Sequence, residues 1–144
     1  MKSLAVLSAK KLISGETKFL KNRKFINELI HVDQMWRHLK TRYGDILAVK
    51  HLRGKHKEEF SYSELDYLIT KASNAFFNLG LRKGNVVTII SENSPRWLIA
   101  DQAIMRLSAI DAVRGINSPS VELDYIIKHS KSVGLIIQSN SIWE

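Results

Sequence analysis

A run of β-branched residues, Val86 to Ile90, lies between two segments whose apolar residues recur at helical spacing. A continuous apolar run of this kind is typical of a strand that is buried on both faces, as the strands of parallel sheets are. The helical segment before the run starts near Ser63 and ends at Gly80, and the segment after it starts at Ser94-Pro95. A chain with this alternation is predicted to form layers of helices around a sheet.

The alternation continues to residue 137. A short strand is predicted at Ile110 to Val113, a third helix after Ser118-Pro119, and a further buried strand at Val133 to Ile137. Ser94-Pro95 and Ser118-Pro119 carry the same helix-start chemistry. The serine caps the helix, and the proline takes the first helical position, where an N–H has no partner anyway. The order from Ser63 therefore predicts an α/β fold with mostly parallel strands and right-handed crossovers.

Three elements are predicted before residue 80. Ser63 and Asp66 form a capping-box-like start for the helix that ends at Gly80, and its apolar stripe comprises Leu65, Leu68, Ile69, Ala72, Phe76 and Leu79. Upstream, apolar residues recur at helical spacing from Asp33 to Gly44, where the glycine ends the helix. Between these helices, Ile46 to Tyr62 predicts a small β-hairpin around a polar turn at residues 53–57.

Composition places the chain among globular proteins. Its 144 residues are 44% apolar and 25% charged, which is enough to bury one core. No cysteine is present, so disulfides, thiolate catalysis and cysteine-based zinc sites are excluded. The N-terminal apolar run is too short for an export signal, and no apolar stretch reaches the roughly 18 residues of a transmembrane helix. We therefore predict a cytoplasmic protein.

The net charge of +8 comes entirely from the N-terminal part of the chain. Residues 1–60 hold 14 Lys and Arg against 6 Asp and Glu, whereas residues 61–144 hold 8 of each. We predict a basic, flexible leader over residues 1–30 and an α/β portion over residues 31–144. The leader is either a solvated segment that aids solubility, or an arm that docks on an anionic membrane surface, an acidic carrier protein or nucleic acid. Nucleic acid has the least support, since no nucleic-acid-binding module is recognisable.

Several segments, read in their joint order and spacing, resemble the N-terminal region of long-chain fatty acyl-CoA and acyl-carrier-protein synthetases, which are AMP-forming acyl-activating enzymes. The resemblance runs from about Asp33 to Gln138, and the string at residues 110–115 particularly resembles the cyanobacterial and plastid branch. The segments are Phe60-Ser61-Tyr62-Ser63-Glu64-Leu65, Leu79-Gly80-Leu81-Arg82-Lys83-Gly84, Ile90-Ser91-Glu92-Asn93-Ser94-Pro95-Arg96-Trp97, Ala100-Asp101 and Ile110-Asp111-Ala112-Val113-Arg114-Gly115.

The resemblance implies a ligase that joins a fatty acid to ATP, releases pyrophosphate and passes the acyl group to CoA or an acyl carrier protein. It implies ATP and Mg²⁺ as cofactors, a Ser/Thr/Gly-rich phosphate loop ending in lysine, and a mobile C-terminal lysine. The sequence contains no Gly-x-x-x-x-Gly-Lys and no Gly-x-Gly-x-x-Gly. No catalytic, cofactor-binding or metal-ligating residue of the family can therefore be assigned to this chain.

Two functional hypotheses follow. The first is a truncated or split portion of such a synthetase, structural in role and inactive alone, with its incomplete N-terminal α/β domain completed by a complementary chain. The second is a non-catalytic binding module whose basic leader docks on an anionic membrane or nucleic acid.

The carboxyl end of the strand at 86–90 is the candidate ligand crevice of the chain. Ser91, Glu92, Asn93 and Ser94 follow that strand, where open α/β sheets bind ligands and where a helix N-terminus attracts phosphate. Glu92 would repel a phosphate, however, and Asn93 and Ser94 are also good helix caps. Capping is the favoured interpretation of this segment.

Other polar and aromatic residues admit a functional and a structural interpretation. Arg96, Arg106 and Arg114 could bind an anion or a carrier protein, although arginines on helices are more often exposed or paired with neighbours. His51 and His56 are predicted to be surface residues at the hairpin turn, and His129 has no fixed acidic or nucleophilic partner for base catalysis. Phe76, Phe77 and Trp97 are predicted to be core residues.

Overall fold

The computed structural model of the protein describes residues 31–52 and 58–142. The basic leader at residues 1–30 and the turn at 53–57, including His56, lie outside the described residues. In chain order the elements are α1 (Met35–Tyr43), β1 (Leu47–His51), β2 (Glu58–Ser61), α2 (Tyr62–Asn78), β3 (Val86–Ile90), α3 (Pro95–Arg106), β4 (Ile110–Arg114), α4 (Ser120–Ser130) and β5 (Gly134–Ile137), with short 3₁₀ helices at Val32–Gln34 and Asn140–Ile142. The predicted α/β class and element order are confirmed.

Two small sheets are formed. β3, β4 and β5 make a parallel sheet in the order β4-β3-β5, and β1 pairs with β2 in the predicted antiparallel hairpin. The β-branched run is the central strand of the parallel sheet, and Ile89 in it is fully buried. β5 was predicted to be buried like β3, which is wrong. In the described structure β5 has one neighbouring strand, and all four of its residues are half-buried.

The core lies on the face of the sheet that α3 covers. Leu81, Val87, Ile89, Ile104 and Ala109 form its buried cluster. Side chains alternate along a strand, so Thr88, between Val87 and Ile89, points to the opposite face. There its hydroxyl contacts the Ser132 hydroxyl at 2.6 Å, just after α4. In the order β4-β3-β5, the connection from β3 to β4 and the connection from β4 to β5 cross the sheet in opposite directions. Right-handed crossovers in opposite directions place their helices on opposite faces, so α3 and α4 cover the sheet from two sides.

Helix α2 starts two residues earlier than the sequence predicts. Ser61, the last residue of β2, is its N-cap. The Ser61 hydroxyl accepts from the Glu64 N–H at 3.2 Å, and the Ser61 N–H donates to the Glu64 carboxylate at 2.8 Å. The predicted capping box of Ser63 and Asp66 is therefore wrong. The strand runs directly into the helix, so the capping position falls on the strand's last residue.

Ser61→Ala should lower the free energy of unfolding by about 1 kcal/mol, because the Glu64 N–H loses the hydroxyl that accepts from it. Urea unfolding followed by circular dichroism measures the change. The Ser61 backbone N–H and hydroxyl lower the pKa of Glu64, so losing the hydroxyl should also move that pKa upward in an NMR titration. Ser63→Ala is the matched control, since its hydroxyl forms no part of the cap. If both variants lose the same stability, the assignment of the cap to Ser61 is wrong.

The other two helix starts differ from each other. The Ser94 hydroxyl accepts from the Trp97 N–H at 3.1 Å and Pro95 is the first residue of α3, so that prediction is confirmed. Ser118 was predicted to cap α4, which is wrong. α4 begins at Ser120 and Pro119 precedes it without a side-chain cap. At α4 the proline occupies the N-cap position, whereas at α3 the proline is the first residue of the helix.

The apolar face of α2 is buried only over its first three turns. Leu65, Ile69 and Ser73 are buried at four-residue spacing. With 3.6 residues per turn, the buried row then drifts to Phe76, which packs against the core. Phe77, predicted as core, is 49% exposed, and the Arg82 guanidinium lies 3.9 Å from the centre of its ring. Leu79, predicted in the buried stripe, is 84% exposed.

Candidate functional site

A crevice of about 540 Å³ lies at the carboxyl ends of the parallel strands. It is lined by His51, Ser91, Glu92, Asn93, Ser94, Gly115 and Gln138. The chain leaves β3 toward α3 on one face and leaves β4 toward α4 on the other. Crevices at such a reversal are the usual ligand positions of open α/β sheets. The predicted location of the crevice at residues 91–94 is therefore found in the structure.

The polar groups of this crevice hold its own loop in place. The Gln138 side-chain oxygen accepts from the Glu92 N–H at 2.8 Å and from the Ser91 hydroxyl at 3.2 Å. Ser94 caps α3, as described above. The capping interpretation of the segment thus agrees with the structure at Ser94. Gln138 was missed by sequence reasoning, although a polar residue directly after a buried strand could have indicated it.

These residues do not fit a nucleotide phosphate. The Glu92 side chain is exposed beside the α3 N-terminus, where its carboxylate repels an anion. The Ser94 hydroxyl and the Glu92 N–H already have partners, in the Trp97 N–H and the Gln138 side-chain oxygen respectively. Within residues 31–52 and 58–142, no group of three His, Asp or Glu side chains is placed to hold a metal ion. No reaction step can be derived from this crevice.

Each candidate arginine is paired with a carboxylate. Arg96 contacts Glu58 at 3.2 Å and is exposed, and Arg114 contacts Glu122 at 3.1 Å. The Arg106 side chain is only 6% exposed and contacts Asp66 at 2.8 Å. The structure thus places all three in ion pairs. None of the three is presented as an open anion site.

His51 and His129 lie on different elements of the fold. His129 is exposed and stacks on Tyr125, with ring centres 5.2 Å apart. His51 ends β1 and is half-buried at the rim of the crevice. The structure brings His51, but not His129, to the residues at 91–94. Trp97 is half-buried against the core, in agreement with its predicted core role.

Two buried polar networks were not predicted. Asp66, which was assigned to a cap, is 6% exposed and binds Arg106, while Lys40 of α1 reaches the same carboxylate at 3.3 Å. The second network joins α1 to α3. The Trp36 indole N–H donates to Gln102 at 2.8 Å, and the Gln102 amide donates to Asp101 at 2.7 Å. Polar side chains on an apparently apolar helix face are the signal that could have found them.

A second, largely apolar crevice of about 450 Å³ lies beside the edge strand β5. Its lining includes Phe76, Leu79, Val87, Ile104, Val133 and Leu135. Val133 is 64% exposed, and no residue of α4 is fully buried. The described structure therefore leaves apolar surface uncovered at this edge of the sheet.

The AMP-binding enzyme family model matches residues 36–144, three-quarters of the chain. The chain belongs to this family. It is 34% identical over 113 residues to the probable acyl-activating enzyme 16 of Arabidopsis thaliana. The aligned region covers 78% of this chain and 16% of that protein. It is 31% identical over 108 residues to a long-chain-fatty-acid–[acyl-carrier-protein] ligase of the same plant, covering 75% and 15% respectively. The chain thus spans about one-sixth of the length of these relatives.

Solved structures support the fold. The N-terminal subdomain of NpsA from Klebsiella oxytoca superposes with a TM-score of 0.67 at 24% identity, over 77% of this chain and 28% of that one. The N-terminal domain of FACL13 from Mycobacterium tuberculosis superposes with a TM-score of 0.69 at 18% identity, over 76% and 27%. The family match and the two Arabidopsis relatives confirm the predicted origin in an AMP-forming acyl ligase, and the solved structures agree with an N-terminal domain fold. In the described part of this AMP-binding family chain, no helix has the length and apolarity needed to cross a bilayer.

Proposed function

We propose that this chain is a structural portion of an AMP-forming ligase that activates long-chain fatty acids, and that it forms no acyl-adenylate by itself. The observation that carries the proposal is the family match over residues 36–144, with a long-chain-fatty-acid–[acyl-carrier-protein] ligase among the relatives. The described polar side chains support it, because they cap helices, hold a loop and form ion pairs. In this proposal the chain supplies a packed α/β layer that supports the parts of the enzyme that carry the reactive groups.

In this proposal ATP, Mg²⁺, the fatty acid and the thiol acceptor bind the complete enzyme. The acceptor is CoA or an acyl carrier protein. The described residues supply no phosphate-binding glycine loop, and the crevice at residues 91–94 carries the exposed Glu92 carboxylate. The nucleotide is therefore assigned to other parts of a complete synthetase, and so are the metal ion and the catalytic lysine. The proposed location remains the cytoplasm, and contact of the basic residues 1–30 with an anionic membrane surface stays a proposal based on their charge.

Completion of the domain by further sequence is part of the proposal. The outer edge of β5 presents unpaired backbone N–H and C=O groups in the described structure, and such edges readily pair with another strand. The adjoining apolar crevice, which lies on the α3 face of the sheet, offers a surface for a covering helix. A complementary synthetase chain that carries the phosphate loop and the lysine-bearing lid has the chemistry to cover this edge.

Fatty-acid-dependent exchange between pyrophosphate and ATP tests the inactivity of the chain. We expect the purified 144-residue protein with Mg²⁺, ATP and long-chain fatty acids to show no exchange above a fatty-acid-free control. Exchange that depends on the fatty acid would overturn the structural role. A complete AMP-forming acyl-ACP ligase, assayed beside it, verifies that the assay detects adenylation.

Completion is tested by co-expressing the tagged chain with the remaining segment of an acyl-ACP ligase, which carries the phosphate loop. We expect the two to co-purify and exchange activity to appear. A charged substitution at the edge strand, Leu135→Lys, should abolish this co-purification, whereas Val121→Lys on an exposed turn of α4 should leave it unchanged. Co-purification that is insensitive to Leu135→Lys would exclude β5 as the docking edge.

A further inference from the structure

The apolar crevice beside β5 lies on one defined face of the parallel sheet. Val87 and Ile104, which line it, belong to the core cluster on the α3 face. Ile136 of β5 also lines it, is paired with Ile89 in the parallel register, and packs against the same cluster. Residues paired in this way point to the same side of a sheet, because side chains alternate along each strand. The crevice therefore lies over the α3 face of β5, opposite the face on which α4 lies.

The walls of the crevice are apolar and open to solvent. Leu79, directly after α2, is 84% exposed, and Val133, directly before β5, is 64% exposed. Gly134 is paired with Val87 and has no side chain to place on this face. A Cβ atom added at Gly134 would lie 3.8 Å from the nearest Val87 methyl carbon, an ordinary contact, so the glycine leaves unfilled space. The residues that line the crevice carry no charge. Its occupant therefore presents an uncharged, apolar surface.

The direction of the chain crossings limits which helix can lie on this face. The connection from β3 to β4 places α3 on the crevice side, and the connection from β4 to β5, in the opposite direction, places α4 on the other side. A connection from β5 to a parallel strand beyond it would continue in the direction of the second, so its right-handed crossover would place a helix on the α4 side. Among parallel crossovers, a helix over the crevice therefore belongs to a connection that runs toward β5 from a strand farther out.

We propose that an amphipathic helix from the remaining part of the N-terminal synthetase domain binds in this crevice, and that it belongs to a connection returning from an outer strand to the strand beside β5. This binding rests on the proposed completion of the domain by further synthetase sequence. The domain has the length for such a connection, since the match covers 28% of the NpsA N-terminal subdomain. The apolar face of the helix packs against Leu79, Val87 and Ile136, with its own apolar residues at helical spacing.

Two exposed residues on different faces provide matched variants for the test. Leu79→Lys places a charge at the crevice, and Val121→Lys places one on α4, where Val121 is 80% exposed. Each chain is co-expressed with the segment of the Arabidopsis long-chain-fatty-acid–[acyl-carrier-protein] ligase that follows its aligned region, and binding of the purified partners is titrated. We expect Leu79→Lys to weaken binding at least about tenfold, because the helix would bury an unpaired ammonium group. Val121→Lys should bind like the wild type. Both variants should give the circular dichroism spectrum of the wild type, since both positions are exposed.

The outcomes distinguish the position of the helix from the completion of the domain. If Val121→Lys weakens binding and Leu79→Lys does not, the helix lies on the α4 side, and the proposal is overturned while the completion stands. Equal binding by all three chains would also overturn it, because no helix then packs on the crevice. If the wild type does not bind the segment, the completion fails and this proposal fails with it. Inactivity of the chain alone is judged separately, by pyrophosphate exchange.

Sedimentation of the 144-residue chain by itself tests a second copy as the occupant of the crevice. We expect the wild type and Leu79→Lys to sediment alike. A wild-type dimer that Leu79→Lys dissociates would assign the crevice to a second copy of this chain and overturn the proposal.

Discussion

Asp66→Ala is expected to lower the free energy of unfolding by about 3–5 kcal/mol, because it leaves a buried guanidinium without its counter-charge. Asp66 is 6% exposed, and Arg106, whose side chain is also 6% exposed, contacts it at 2.8 Å. The same carboxylate accepts from Lys40 of α1, so one side chain links α1, α2 and α3. A chain of this size has a total stability of the same order. We expect a strongly lowered urea midpoint for the variant in unfolding followed by circular dichroism at 25 °C.

The ion pair between Glu58 of β2 and Arg96 of α3, in which the arginine is exposed, supplies the matched control. Glu58→Ala removes the partner of Arg96, whose side chain is 83% exposed, and exposed pairs contribute about 0–1 kcal/mol. Replacing both buried partners, in Asp66→Leu with Arg106→Met, should recover most of the lost stability, since no charge is then left buried. Equal losses in Asp66→Ala and Glu58→Ala would show that burial does not set the strength of the Asp66–Arg106 pair.

Ile89→Ala is expected to cost about 2–5 kcal/mol, through the lost transfer energy and the cavity left behind. Ile89 is fully buried in the central strand, between β4 and β5, and packs in the cluster that contains Ile104 and Ala109. With strands on both sides, the backbone around it has little freedom to collapse into the cavity. Urea unfolding followed by circular dichroism measures the loss.

Two isoleucine variants test the cavity interpretation. Ile89→Val should cost only about 0.5–1.5 kcal/mol, because one methyl group is removed. Ile110→Ala, at a residue that is 53% exposed at the start of β4, should stay within about 0.5 kcal/mol of the wild type. If Ile110→Ala were as costly as Ile89→Ala, packing at the central strand would not be the main source of stability.

Local chemistry made most of the elements predictable. Val86 to Ile90 forms the central strand, Ser94 caps α3, and Gly80 ends the α2 segment with a φ of +100°, which non-glycine residues rarely adopt. These features depend on a few neighbouring residues, so the spacing of residues in the sequence predicts them. Where two nearby residues both suit the same role, the spacing does not predict which one takes it. Ser61 and Ser63 both suit a cap, and the choice depends on where β2 ends.

The sequence by itself determined the alternation of helices and strands, the buried central strand and the resemblance to acyl-activating enzymes. Only the tertiary structure decided which polar groups are buried. Asp66 and Arg106 are 40 residues apart, and the hydrogen-bonded Trp36 and Gln102 are 66 residues apart. Their burial follows from the packing of one helix on another and on the sheet, which local spacing does not record. The tertiary structure also decided that β5 is an edge. A strand's environment depends on its neighbours in the sheet, and those neighbours are brought together by the fold.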